Sequence, residues 1–174
     1  MYYIYKTFTI ELNNSYKMVY NLLDDYYIFV GRRDSMITVY KHIEEELVSD
    51  CTVSDATKGS WVNLVNPDPD ELSLINILTE IPTDVLKTAL DMEERSHVEL
   101  EDNYIFVVIN IPVVRGNDMY DTVPLGIFLT PDFFITVCLE DSEVLYPFIS
   151  NQISTFYTFK KTRFLFQILY RTAT

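Results

Sequence analysis

The chain has 174 residues, with 26 acidic against 13 basic side chains and a formal charge of −13. That balance disfavours nucleic acid and bare anionic membrane as partners, because both present negative phosphates. With 48% hydrophobic and 22% charged residues, the composition suits a globular domain, which at this size buries roughly 70% of its unfolded surface, and not a disordered segment.

Residues 1–35 carry seven tyrosines, at positions 2, 3, 5, 16, 20, 26 and 27. Tyr2–Ile10 reads as a strand. Tyr16–Val30 reads either as a short helix or as a second strand, since periodicity does not separate them. Gly31–Ser35 is a polar break. These 35 residues show no chemistry and are read as an N-terminal extension, with the domain proper at 36–174.

Met36–Lys41 is β-rich and Glu44–Val48 can pair back on it as a hairpin. A polar stretch, Ser49–Ser60, precedes a strand at Trp61–Val65, whose alternation puts Trp61, Asn63 and Val65 on one face. Trp61 is expected to anchor the core. Asn66-Pro67-Asp68-Pro69-Asp70-Glu71 is a helix entry. Asp68 is placed to accept the orphan amides, Pro69 suits the first helical position, and Glu71 sits three residues after the cap. Leu72, Ile75 and Leu78 follow at helical spacing. A second helix starts at Ile81-Pro82-Thr83, with Val85, Leu86, Ala89 and Leu90 as its apolar stripe.

Asp91-Met92-Glu93-Glu94-Arg95 closes that second helix. Carboxylates at a helix C-terminus oppose its dipole, and local rules are often broken at functional sites. Asp91, Glu93 and Glu94 are therefore the candidate metal-facing residues. The competing reading is a solvated turn with Arg95 as local partner.

His97–Leu100 alternates as a strand. Asn103–Val114 is almost continuously apolar, as expected of a central strand buried on both faces, with Pro112 marking its end or an edge. Gly116-Asn117 is a hairpin signal. Thr122–Thr130 and Phe133–Leu139 are two further strands, and Cys138 in the second is read as an inert core thiol. Ser142–Ser150 begins as a helix capped by Asp141 or Ser142. Phe156–Ala173 places Phe164, Phe166, Leu169 and Tyr170 on a helical segment without a stop signal.

The catalytic inventory is thin. Nucleophile-elbow, Walker, dinucleotide and Cys-x-x-Cys motifs are missing, and adjacent carboxylates are ordinary in so acidic a chain. Cys51 and Cys138, without a secretory leader, suit a reducing compartment. His42 and His97 alone do not make a dense zinc site. The longest apolar run, Tyr104–Val114, is too short for a spanning helix of about 20 residues. The chain reads as soluble and not as an enzyme; a small hydrolase with a carboxylate-bound metal is the weaker alternative.

The segments MITVYK, GSWVNLVNPDPDEL, IPTDVLKTALDMEERSHVELEDNYIFVVINIP and VPLGIFLTPDFFITVCLED occur in this order. Together they resemble the N-terminal cytoplasmic domain of the CorA-type magnesium and cobalt transporters, over about residues 36–174. The resemblance implies an α/β fold, a mixed sheet sandwiched between helices, ending here in the start of a truncated helical segment. It implies a homopentamer at the cytoplasmic face of the cell membrane, reached only through a stalk and two transmembrane helices absent from this sequence. A continuation beyond Thr174 would then show two apolar runs of about 20 residues, with Gly-Met-Asn after the first.

The resemblance further implies no tightly bound cofactor, and Mg2+ as a regulatory ligand between neighbouring domains that holds the channel shut. The acidic pair found there in one branch of the family falls on Lys87 and Thr88 in this sequence, which leaves Asp91, Glu93 and Glu94 nearby as the metal candidates. The chain is thus expected to be a regulatory domain of such a transporter, monomeric when isolated. The alternative is a soluble, acidic protein-interaction module.

Overall fold

The computed structural model describes residues 7–12, 16–21, 26–30, 36–51, 53–115 and 119–174, with side chains for 36–49, 53–115 and 119–174. The chain forms two compact units, Met1–Met36 and Ile37–Thr174. In the first, β1 (Thr7–Leu12), β2 (Tyr16–Asn21) and β3 (Tyr26–Val30) pair antiparallel in that order. The helix-or-strand ambiguity over 16–30 is thus resolved as two strands, in keeping with its aromatic and β-branched content. The predicted strand Tyr2–Ile10 is met by β1 from Thr7 onward, and its first residues lie outside those described.

The second unit is built on a seven-stranded mixed sheet. Its strands are β4 (Ile37–Ile43), β5 (Glu46–Cys51), β6 (Trp61–Val65), β7 (His97–Leu100), β8 (Ile105–Arg115), β9 (Met119–Leu129) and β10 (Phe134–Cys138), in the order β5-β4-β6-β10-β9-β8-β7. β6 and β10 pair in parallel and the other neighbours are antiparallel. Helices α1 (Pro69–Thr79) and α2 (Thr83–Thr88) cover one face. Helices α3 (Tyr146–Ile149) and α4 (Lys161–Thr172) cover the other.

Each face has its own core because strand residues alternate between them. Under α1 and α2 lie Val39, Val62, Leu64, Phe106, Val108, Phe128, Ile135 and Val137, packed against Leu72, Ile75, Leu86 and Ala89. Under α3 and α4 lie Tyr40, Trp61, Leu125, Ile127 and Phe134, packed against Phe148, Phe156, Phe164 and Ile168. Trp61 is fully buried. Its indole N–H donates to Thr136 Oγ1 at 2.8 Å, and the Thr136 hydroxyl donates to Asn63 Oδ1 at 2.7 Å. That relay satisfies three buried polar groups on the face the strand pattern predicts.

Two expectations need correction. β8 is not a central strand buried on both faces. Phe106, Val107 and Val108 are buried, but beyond them only Ile111 and Val113 are, while Asn110, Pro112 and Val114 are exposed. The reason is topological: β7 pairs only with Ile105–Val108, so the rest of β8 is an edge. Pro112, which has no N–H to give, sits on that edge and does not end the strand.

The helix expected from Ser142 is short. Ser142 Oγ accepts the Val144 amide at 3.1 Å and holds a turn, and helix proper begins only at Tyr146 with Pro147 in its first turn. On α4, Phe164 is buried, but Phe166 and Tyr170 are 64% and 72% exposed; the second buried residue is Ile168.

Candidate functional site

The acidic turn owes its position to the way α2 meets the sheet. Asp68 caps α1 by accepting the Asp70 and Glu71 amides, each at 2.9 Å, while Glu71 Oε2 accepts the Asp68 amide at 3.0 Å. The reciprocal box fixes where α1 starts. It ends at Glu80, which turns left-handed at φ 61°, and the Asn76 side chain donates to the Ile81 carbonyl at 2.8 Å across the connection. α2 then lies close on β9. A Cβ added at Gly126 would stand 2.3 Å from the Ala89 Cβ, so only glycine lets the end of α2 approach this far.

From Ala89 the chain enters the turn that carries the candidate residues. The helix stops at Thr88, so Asp91, Glu93 and Glu94 lie beyond it and not in its last turn. The dipole conflict read from sequence is correspondingly reduced, because the effect falls off within one turn. Two of the acids shape the loop instead. Asp91 Oδ1 accepts the Glu93 amide at 3.0 Å, the Asp91 carbonyl accepts the Glu94 amide at 3.0 Å, and Glu94 Oε1 accepts the Arg95 amide at 3.0 Å. Asp91 and Glu93 remain exposed and Glu94 is half-buried.

The structure adds Glu99 and His97, the latter a histidine for which the sequence shows no metal-spaced partner. His97 Nδ1 lies 2.7 Å from the Arg95 carbonyl and 3.5 Å from Glu94 Oε1, and its Nε2 lies 3.3 Å from Glu99 Oε1. The ring edge rests on Phe106, and the Ser96 hydroxyl accepts the Asn110 amide at 3.2 Å, tying the turn to β8. The alternation of β7 carries the signal for this set: His97 and Glu99, two apart, must share a face.

Tyr104 registers the local charge. Burial raises its phenol above the ordinary tyrosine value, and the negative charges of Glu101, Glu99 and Asp84 raise it further. Glu101, Glu99 and Asp84 thus all act on this end of the sheet. Among the described residues, no three His, Cys, Asp or Glu side chains are gathered to hold a metal ion. One chain therefore offers separate carboxylates here and not a chelate. Lys87 and Thr88 sit on α2 just before the turn, Lys87 exposed and Thr88 with its hydroxyl donating to the Asp84 carbonyl at 3.2 Å.

The opposite layer has a different character. A depression of about 400 Å³ between α3 and α4 is lined by Phe148, Ile153, Arg163, Phe166, Gln167, Tyr170 and Arg171. The α4 N-terminus is pinned by Lys161, whose ammonium donates to the carbonyls of Thr130 and Pro131. Burial lowers the Lys161 ammonium below the ordinary lysine value, Asp132 opposing the shift and Lys58 adding to it. Cys138 is a buried free thiol whose pKa burial pushes up, consistent with an inert core residue.

The chain is similar in fold to the complete CorA magnesium transporter from Methanocaldococcus jannaschii, with a TM-score of 0.62 and 19% identity over 79% of this chain and 44% of that one. The soluble domain of the same CorA gives 0.61 and 20% over 78% of this chain and 55% of that one. The ZntB cytoplasmic domain from Vibrio parahaemolyticus gives 0.65 and 12% over 79% and 58%. The chain thus spans about half the length of these relatives. No individually curated protein matches the sequence. The family model for CorA-like Mg2+ transporter proteins matches residues 57–173, more than half of the chain, and the chain belongs to that family. Among the described residues, no helix is long and apolar enough to cross a membrane.

Proposed function

We propose that the chain is the cytoplasmic regulatory domain of a CorA-like divalent-cation transporter, with no enzymatic activity of its own. In this reading it contributes to subunit assembly and to gating by Mg2+, and it reaches the membrane through parts of the protein outside this sequence. The observation that carries the proposal is the family match, which spans β6 through α4 and so includes the parallel β6–β10 pair and both helical layers.

The acidic end of α2 and β7 is the ion-responsive part in this account. Magnesium keeps most of its waters and needs only one or two carboxylates per site. Scattered carboxylates on Asp91, Glu93 and Glu94 suit such contact when a second subunit supplies the rest. Neighbouring acidic faces repel, a bound dication relieves the repulsion, and loss of the ion lets the subunits separate. The same chemistry applies if the full protein assembles as a pentamer.

The test is ion uptake by the complete protein that contains this domain, produced in cells deprived of their own magnesium uptake. Restored Mg2+ or Co2+ entry, inhibited by internal Mg2+, is expected. A correctly inserted protein that moves neither ion would contradict the reading.

A further inference from the structure

Segment 156–160 runs across the α3–α4 face of the sheet and leads into α4. Phe156 inserts into the core, its ring against Trp61, Phe148 and Phe164. Two residues on, Thr158 is buried and makes a reciprocal pair with His42 of β4. The His42 amide donates to Thr158 Oγ1 at 3.1 Å, and the Thr158 amide donates to His42 Nδ1 at 3.1 Å. The imidazole packs edge-on against Phe156 at 5.3 Å and lies against Tyr157 at 5.1 Å between ring centres. An amide N–H only donates, so Nδ1 must present its lone pair and the ring hydrogen sits on Nε2.

We propose that His42 is a proton-operated latch: the neutral ring holds segment 156–160 on the sheet, and protonation at Nδ1 releases it. Protonation turns the acceptor of the Thr158 amide into a second donor. One hydrogen bond is lost and two N–H groups face each other in a half-buried place. The apolar contacts of Phe156 keep the segment near the core, while the tie of Thr158 to β4 falls from two hydrogen bonds to the one from the His42 amide. The Lys161 clamp on Thr130 and Pro131 stays in place at the α4 N-terminus. The latch therefore acts beside the Lys161 clamp and the Phe164 ring contacts in setting how α4 lies on the sheet.

The surroundings favour the closed form at neutral pH. Burial lowers His42 below the ordinary histidine value of 6.5. None of the ion pairs among the described residues includes it. Tyr157 in the segment touches the ring, with the Lys160 ammonium 4.6 Å from the Tyr157 ring centre, and Lys41, Glu44, Glu45 and Glu46 are its titratable neighbours in sequence along the β4–β5 hairpin. The sign follows. A histidine depressed in the folded state contributes stability that is complete above pH 6.5 and is lost as pH falls through the lower folded value.

The test combines nitrogen NMR on the His42 ring with hydrogen exchange of the Thr158 amide. At neutral pH the ring is expected as the Nε2–H tautomer. Below the His42 pKa, Thr158 protection should fall by up to about ten-fold per pH unit after correction for intrinsic exchange, while core amides such as Ile127 hold. His42→Asn, whose Oδ1 can accept the same amide without titrating, should keep Thr158 protected in acid. An Nδ1–H tautomer in the wild type would overturn the proposal, and that measurement stands even if His42→Asn does not fold. So would Thr158 protection that does not fall in acid, or that falls equally in His42→Asn.

Discussion

The two helical layers of this domain are put in place by different physics. On the α1–α2 side the instructions are local. Asp68, Pro69 and Glu71 start α1, Glu80 and Asn76 end it, and Pro82 begins the next helix within a few residues. On the α3–α4 side neither helix start has a side-chain cap. There the rings of Trp61, Phe134, Phe148, Phe156 and Phe164 interlock, with Phe164 contacting each of the other four at centroid distances of 4.4–4.9 Å. Distant tethers from His42 and Lys161 complete the attachment. One layer is fixed by short-range signals, and the other by contacts between residues far apart in sequence.

Substitutions should break the two layers by different amounts. The largest effect is expected on the aromatic side. Trp61→Ala removes a fully buried indole, opens a cavity against Phe156 and Phe164, and strips Thr136 of its indole donor. A loss of about 3–5 kcal/mol is expected in urea unfolding, and a loss under 1 kcal/mol would show that the ring cluster does not hold this layer. Next comes the closest approach on the other face. Gly126→Ala puts a methyl 2.3 Å from the Ala89 Cβ. Overpacking of about 1–3 kcal/mol is expected, accompanied by NMR shift changes along α2 and the Asp91–Arg95 turn but not along α4. Smaller again is Asp68→Ala, which leaves two amides without their cap and should cost about 1 kcal/mol by thermal or denaturant unfolding.

This contrast also explains what the sequence disclosed. The capping box, the strand face shared by Trp61 and Asn63, and the β4–β5 hairpin follow from rules that reach over a few residues, and they stand as read. β8 reads as fully buried because its apolar run has no mark for where β7 stops pairing; that depends on the length of a different strand. Phe166 and Tyr170 match Phe164 in kind, so composition could not tell that they face outward. At the candidate site the acids themselves were legible. Their division of labour was not, because the bond from the Glu93 amide to Asp91 Oδ1 and the flanking of His97 by Glu94 and Glu99 arise only once the turn is folded.

The acidic end also separates from the helix-capping acids in what it should do toward ions. Asp68 and Glu71 are engaged with backbone donors, whereas Asp91 and Glu93 are exposed carboxylates in the turn that Glu94 continues. The most direct measurement is calorimetric titration of Mg2+ into the chain and into its Asp91→Ala, Glu93→Ala, Glu94→Ala triple variant. Weak binding, with a dissociation constant on the order of millimolar, is expected for the unaltered chain and should be abolished or strongly reduced in the variant. Identical heats for the two proteins would contradict the assignment of ion response to this turn.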